Sequence, residues 1–586
     1  MKKFTKTVVL TLAAAIIIGM LPASVFTAEA SARSADAFAP FTRYRSTVRL
    51  TVGKENNAGG SFARGESAFD NGITRLIKEA LNVEIVNKGG LFHRTGDSFN
   101  IVGGEYNTQL ALRVASNTLP DTFYIQDNSP GQQMFKMLLE GKRLADLTEI
   151  YNTVIIGEAK KALDKVNKAE LLRFMTVDGK IYGVTGGGEA INFPYMWVRQ
   201  DWLDQLGLAV PTTIAEFEAV ALAFIEAKPG GNPNTTGFVF NPYPGGMFGQ
   251  WFGAIPIFNS LGSYPNAWID KGGSIVNGAI QPETKTALAV LADWYEKGII
   301  PKDFATLANG DEIRDAYVST NGCGIFSSAW WQPWPNWDGH GEGSVNRDPG
   351  FAWTPVLGPV NAGGNFSALE DIFRPGGQVV NIRCRHPEAV ILAMNVMAEY
   401  DGYRVPNERA DEILAPMRAQ SDGRTCSPFV GGIAPPRDRL DTFDAIEAYL
   451  VTGATDTTAS DYWAVKGAFD FINDNGVDFF YNAGGVAGTS DAQKEEAMNR
   501  YVGYWGFYIA GGLLGAEGAL DLVYPAFKGV TESDSEYGGI LKDLTETVFH
   551  QIVTGVRPVD YFDTFVAQWK RSGGDIITKE INAAMK

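Results

Sequence analysis

Cysteine is nearly missing from this chain: Cys323, Cys384 and Cys426 are the three in 586 residues. They match no metal-ligand spacing and no even disulfide set. Cys384 and Cys426 can bridge in an oxidising compartment, or all three can stay as buried thiols; both readings stay open. Histidine is almost as scarce. His93, His340, His386 and His550 are scattered, with no H-x-x-H or H-E-x-x-H spacing to hold a catalytic metal. His386 stands at a helix start, a capping or surface position. A G-x-S-x-G elbow is absent, so a serine hydrolase lacks its usual signature. Positive charge is short too: 50 Lys and Arg face 67 Asp and Glu, for a formal charge of −17. Phosphates would be repelled, which argues against nucleic acid or an anionic membrane surface as the main partner. There is no repeat of fixed period.

What is present is a globular composition, 45% apolar and 20% charged. The length is too great for one ordinary core, so at least two lobes are expected. At the N-terminus Lys2, Lys3 and Lys6 precede VVLTLAAAIIIGML, followed by A-x-A sites ending at Ala30 or Ala32. That pattern reads as an export signal over residues 1–30, with an uncleaved anchor helix as the alternative. Cleavage after Ala30 removes three lysines and Glu29, taking the charge from −17 to −19. No cysteine precedes Cys323, so no lipid-modified cysteine can follow the signal. The expected location is extracellular and cell-surface associated.

Beyond a polar linker, residues 31–47, the pattern becomes alternating and regular. Arg45 to Val52 reads as a strand, Gly72 to Leu81 as a helix, and Val83 to Val86 as a strand. Tyr106 to Ala115 is helical and Asp121 to Ile125 extended. This alternation implies an α/β unit with a parallel sheet and covering helices. A ligand crevice then lies beyond the carboxyl ends of the strands, at GKENNAGG (Gly53 to Gly60) and QDNSPGQQ (Gln126 to Gln133). A second unit of the same style starts near Phe193. Tyr195 to Arg199 is its first strand, followed by a helix that Asp201 can cap and Gly207 stops. Thr213 and Glu216 form a capping box for the helix Ile214 to Glu226. GFVF (Gly237 to Phe240) and Gly324 to Ser328 are further strands, Glu283 to Glu296 an amphipathic helix, and the last 150 or so residues read mostly helical.

The order of these segments resembles the extracellular solute-binding proteins of ABC importers. The likeness runs through DGKIYGV, YMWVRQDWLDQLGL, PTTIAEFEAVALAF, GIFSSAWW and FRPGGQVVNIRCRHPEAVILAMNVM. NTLPDTFYI, LADLTEIY and the closing DYFDTFVAQWKRSGGDIITKEINAAMK extend it, from about Val48 to the C-terminus. The sugar-binding branch, typified by maltose- and alginate-oligosaccharide-binding proteins, is the most similar. The resemblance implies a two-lobed periplasmic-binding-protein-like fold, type II-like, with hinge-linked lobes and a mostly helical C-terminal part. Lobe one is expected at 48–184 plus 375–427, and lobe two at 185–374 plus 428–586. Two departures stand out. The lipid cysteine usual in Gram-positive members is missing. The place of the acidic calcium loop in alginate-type members reads AKPGGNPNTTGF (Ala227 to Phe238), without a carboxylate. Calcium needs several hard, preferably anionic oxygens, so no metal and no cofactor are expected.

Sugars present flat C–H faces and rings of hydroxyls, which suit indole rings and Asp, Glu, Asn or Arg respectively. AWWQPWPNW (Ala329 to Trp337) holds four of the thirteen tryptophans just after a strand. Trp331 and Trp334 are the leading ligand platforms there, with Trp330 turned to the core. Tyr243 and Trp251 follow the GFVF strand, where sugar-binding relatives carry an aromatic contact. Glu55, Asn56, Asp127 and Asn128 sit after strands and are either hydrogen-bond partners or plain loop residues. Glu189 and Asn192 face the cleft, and Trp463 either completes the pocket or packs a helix. Trp197 is expected in the core and Arg199 paired with a neighbouring acid. In the family resembled, the stretch after DGKIYGV crosses between lobes, so Gly186, Gly187 and Gly188 are hinge candidates. They open no helix, and no Lys-Ser/Thr pair follows, so a phosphate loop is the weaker reading. The expected function is non-enzymatic: a monomer that captures an oligosaccharide by hinge closure and delivers it to an ABC transporter permease. A secreted glycoside hydrolase, needing only two carboxylates, and a ligand-sensing partner of a membrane receptor are the alternatives.

Overall fold

The structure is a computed structural model. It describes residues 38–56, 62–88, 94–102, 105–127, 129–164, 171–185, 194–241, 246–307, 309–330, 353–369, 376–400, 405, 407–418, 427–429, 438–453, 512–513 and 520–585.

Lobe one is built on a sheet whose central line is Val48–Leu50 continued by Val52–Asn56. Val83–Ile85 runs parallel beside the first half, Phe99–Val102 beside the second, and Thr122–Gln126 parallel on the other side. Gly376–Val380 returns antiparallel against Thr122–Gln126, and Gly183–Val184 closes that edge. The line is interrupted at Thr51, whose N–H and hydroxyl both donate to Asp121 Oδ2, at 2.8 and 2.9 Å. The strand expected over Arg45 to Val52 therefore starts later and continues through Asn56, into residues expected to be loop. Gly53 permits this, because a Cβ there would sit 2.5 Å from the Phe99 ring.

Both faces of the sheet are covered, as parallel sheets require. Leu50, Val52, Val184 and Val380 pack against the helices Gly72–Leu81 and Pro387–Tyr400. Phe123, Ile125 and Val379 pack against Tyr106–Ala115 and Ser129–Glu140. Phe38 and Phe41, inside the expected linker, are buried edge-on against Tyr400, so the lobe-one core begins ahead of Val48.

Lobe two centres on Tyr195–Arg199. Cys323–Ser328 and Trp353–Val356 flank it antiparallel, and Thr236–Val239 lies parallel outside Cys323–Ser328. The helix Ile214–Ala227 carries the Thr213/Glu216 capping box. Asp201 does not cap its helix as expected. Its carboxylate is held by Arg199, at 2.8 Å from Nε and 2.6 Å from Nη2, and Arg199 itself is the N-cap residue. Gly207 ends that helix in the left-handed region. The C-terminal helices Glu532–Val553, Tyr561–Trp569 and Asp575–Ala584 bury Phe549, Phe565, Trp569 and Ile581 in the same core as Phe238 and Trp294. The C-terminal part is not purely helical: Leu520–Val523 pairs in parallel with Phe366–Leu369.

Among the described residues the chain changes lobe three times. Val184, Val380 and Phe429 belong to lobe-one packing, while Tyr195, Phe366 and Leu440 belong to lobe two. The passages thus fall between Val184 and Tyr195, Phe366 and Val380, and Phe429 and Leu440.

Candidate functional site

The carboxyl ends of the lobe-one strands carry a connected polar surface. Gln126, the last residue of its strand, donates through Nε2 to Glu55 Oε2 at 2.5 Å. Its Oε1 accepts from Asn107 Nδ2 at 2.9 Å, and Asn107 Oδ1 is buried without a partner. Asp127 accepts from Gln132 Nε2 at 2.7 Å. Beneath them the fully buried Tyr106 hydroxyl lies between the carbonyls of Gly53 (3.2 Å) and Tyr124 (2.8 Å), pinning neighbouring strand ends together. Burial first, and then the charges of Glu55 and Asp127, push the Tyr124 phenol well above its ordinary pKa. It is therefore a neutral hydroxyl beside two carboxylates.

The lobe-one ends of the passages are tied to this surface. Lys54 Nζ donates to the Phe429 carbonyl at 3.1 Å, and the Thr185 hydroxyl donates to the Gly376 carbonyl. Gly376 has φ of +139°, and a Cβ there would lie 2.8 Å from the Tyr124 hydroxyl and 2.1 Å from the Ile125 carbonyl. Only glycine fits that approach.

On lobe two, Trp251 pairs with Ser328 in an antiparallel bridge at the end of the Cys323–Ser328 strand. Its indole lies over Gly310 and against Phe252 at 5.9 Å, so it is half-buried rather than free-standing. Trp330, two residues past Ser328, also packs half-buried on the lobe-two core. Trp197 is core, 1% exposed, with Nε1 donating to the Ser328 carbonyl at 3.1 Å. Arg199 is enclosed by Asp201, Asn321, Trp202 and Trp353.

Glu55 and Asp127 therefore share the lobe-one surface, and Trp251 stands at a lobe-two strand end. Trp331, Trp334, Tyr243, Asn128, Glu189, Asn192, Trp463 and the glycines Gly186, Gly187 and Gly188 lie outside the described residues, as do Cys426 and the side chain of Asn56. Gln126, Asn107, Tyr124 and Gln132 were missed. Their signal was positional: a polar residue ending a buried strand, and an Asn at the start of the helix that follows one.

Residues 77–401 match the family of bacterial extracellular solute-binding proteins. The chain belongs to that family. The matched span enters both lobes of this solute-binding protein and ends just after the helix Pro387–Tyr400. Lipoprotein LipO of Bacillus subtilis is 28% identical over 213 residues, 34% of this chain and 38% of LipO. The polygalacturonan/rhamnogalacturonan-binding protein YtcQ of the same organism is 29% identical over 154 residues, 25% of this chain and 29% of YtcQ. The chain thus spans well under half the length of the curated relatives it matches. Among solved structures, alginate-binding protein AlgQ2 superposes with a TM-score of 0.57 at 16% identity, covering 92% of this chain and 98% of that one. An extracellular solute-binding protein from Bifidobacterium longum subsp. infantis gives 0.60 at 15% identity, covering 93% and 99%. An HMO-binding, ABC-transporter-associated solute-binding protein from Bifidobacterium longum infantis gives 0.58 at 13% identity, covering 92% and 98%. These likenesses establish the two-lobed solute-binding fold over nearly the whole chain.

Proposed function

We propose that this solute-binding protein captures an oligosaccharide between its lobes and hands it to the membrane permease of an ABC transporter. The observation that carries the reading is the Glu55–Gln126–Asn107 chain at the strand ends of lobe one, in a member of the solute-binding family. Carboxylates and amides on that surface accept and donate to sugar hydroxyls, while indoles such as Trp251, Trp331 and Trp334 take the C–H faces. The named binding of alginate by AlgQ2 and of polygalacturonan/rhamnogalacturonan by YtcQ supports a saccharide as the ligand class. Two carboxylates, with the Lys54 ammonium turned to the Phe429 carbonyl, favour neutral hydroxyls over uronate groups on the lobe-one side. The mechanism is a shift of an open–closed equilibrium, driven by contacts completed only when both lobes touch the ligand. On this reading Gly186, Gly187 and Gly188 serve as hinge residues, and Glu189 and Asn192 as ligand contacts. The protein works as an exported monomer by binding and not by turnover.

Titration calorimetry with a panel of neutral and uronate oligosaccharides tests this. Saturable binding, with the sugar recovered at its original length, is the expected result. Release of shortened sugar would instead establish the glycoside hydrolase, and heats absent across the panel would remove the saccharide reading.

A further inference from the structure

Lobe two holds a second chemical environment away from the lobe-one surface. A cavity of about 440 Å³ opens between the helix Glu532–Val553, the hairpin Trp268–Asp270/Ile275–Asn277 and the last two helices. Every residue lining it belongs to lobe two, so its walls are complete without lobe one. The hairpin wall carries Trp268 directly opposite Asn277 in antiparallel register, which sets indole and amide side by side on one face. Trp569 stands next to Trp268, with ring centroids 6.3 Å apart and planes tilted by 54°, so neither ring covers the other's face. Trp268 is half-buried and Trp569 only 3% exposed, which makes Trp268 the ring that a ligand can reach.

The last helix holds the hairpin wall and the long-helix wall together. Asn582 clamps the hairpin: its Oδ1 accepts the Ile275 N–H at 2.9 Å and its Nδ2 donates to the Ile275 carbonyl at 2.7 Å. Two residues earlier, Glu580 accepts the Ser533 hydroxyl at 2.5 Å and the Ser533 N–H at 3.2 Å, at the start of the long helix. The Trp268 carbonyl accepts the Ala526 N–H at 2.7 Å, a further tie on the hairpin. Trp569 is set by the turn that follows it, where a Cβ at Gly574 would lie 2.1 Å from its ring. Only glycine admits the indole there.

The polar groups on these walls keep bonding capacity. Asn277 Oδ1 accepts the Ala279 N–H at 3.0 Å, and among the described residues its NH2 has no acceptor. On the long helix, the Asp534 carboxylate has no donor among the described residues, and burial with the nearby Glu580 charge raises its carboxyl. A Cβ at Gly538, one turn on, would lie 2.9 Å from Asp534 Oδ1, so the glycine leaves that carboxylate its place. Further along the same face Lys542 stands 3.9 Å from Glu546. A cation is thus already present, and the cavity does not select an ion. A flat C–H face for the indole, and hydroxyls that both donate and accept, match what it offers.

We propose that this cavity is a second carbohydrate site, in which a ring of a neutral sugar stacks on Trp268 and its hydroxyls bond to the Asn277 NH2 and the Asp534 carboxylate. The volume lies within the range of small-molecule sites and far exceeds what one water needs. Its walls are tied before any ligand arrives, which lowers the ordering cost of binding. The site is independent of what the lobe-one surface takes, because no lobe-one residue lines it.

The test reads the cavity directly, by fluorine NMR of the full-length protein carrying 5-fluorotryptophan, with Trp268→Phe identifying the Trp268 resonance. Cellotriose, maltotriose and xylotriose are the probes, and sorbitol is the control that has the hydroxyls without the flat ring. At least one trisaccharide is expected to shift the Trp268 resonance saturably, and sorbitol to act about tenfold more weakly. Asp534→Asn keeps side-chain volume but loses the charge-assisted bond, so the Trp268 response should weaken about fivefold. Gly538→Ala should weaken it similarly by displacing the carboxylate, while its thermal melt matches or exceeds that of the wild type, because alanine suits a helix better. Gln126→Ala, on the lobe-one surface, should leave the Trp268 response unchanged. Silence of the Trp268 resonance across the three sugars, an equal response to sorbitol, or an unaltered response in Asp534→Asn would each overturn the assignment. Weakening in Gln126→Ala would overturn it too, since the shift would then report the inter-lobe cleft.

Discussion

At Gln126 one side-chain amide serves two neighbours: it donates to Glu55 and accepts from Asn107. The carboxylate is thereby held at the strand end. Gln126→Ala should loosen Glu55 and lower oligosaccharide affinity about tenfold, the usual scale for one hydrogen bond to a charged group. Calorimetry reads the loss, and an unchanged affinity would place the ligand elsewhere. A different logic governs Glu399. Its Oε2 accepts the Glu158 N–H at 2.9 Å, at the start of the helix Gly157–Asp164, and only 8% of the residue is exposed. Burial raises its carboxyl, a rise the Glu158 N–H bond opposes and the Glu158 charge adds to. The native state then holds this proton to higher pH than the unfolded chain does. Its contribution to stability is complete below the ordinary carboxylate range and is lost as pH rises through the raised value. Glu399→Gln should therefore flatten the decline of melting temperature as pH rises above the ordinary carboxylate range, as thermal scans at stepped pH would record.

Among the elements, helix ends and the strand Tyr195–Arg199 were legible, and the limits of the first lobe-one strand were not. The helices Gly72–Leu81 and Tyr106–Ala115 fall where the apolar periodicity puts them. The Thr213/Glu216 box forms as the four-residue signature predicts, because capping partners lie within one turn. Thr213→Ala should cost about 1 kcal/mol, seen as a lower urea midpoint with an unchanged slope. Strand limits answer to distant partners instead. Asp121 breaks the first strand at Thr51, and the ring of Phe99 admits Gly53 to its continuation. No window of sequence contains both members of either pair. Asp201 fails as a cap for a related reason: Arg199, fully enclosed, needs its carboxylate more than the helix does.

For the whole molecule, the stitching of the passages matters most. Thr185 is bonded to Gly376 and Lys54 to Phe429, so the lobe-one roots of all three passages are held in one frame. A frame of that kind lets the lobes turn about a common axis without unfolding either sheet. Small-angle scattering should show a smaller radius of gyration on addition of a saturating oligosaccharide. The double variant Gly186→Val with Gly187→Val should show less compaction and weaker binding. Full compaction in that variant would remove the hinge role from the triplet.

By itself the sequence determined the two-lobed α/β class, the solute-binding family and helices such as Gly72–Leu81, Tyr106–Ala115 and Ile214–Ala227. These follow from periodicity, local caps and segment order, all of which are written along the chain. Tertiary structure alone decided where the first lobe-one strand breaks and stops, that Phe38 and Phe41 join the lobe-one core, and that Gln126 meets both Glu55 and Asn107. Such pairings join residues tens to hundreds of positions apart, and their energies depend on burial and approach distances that exist only once the sheets have formed.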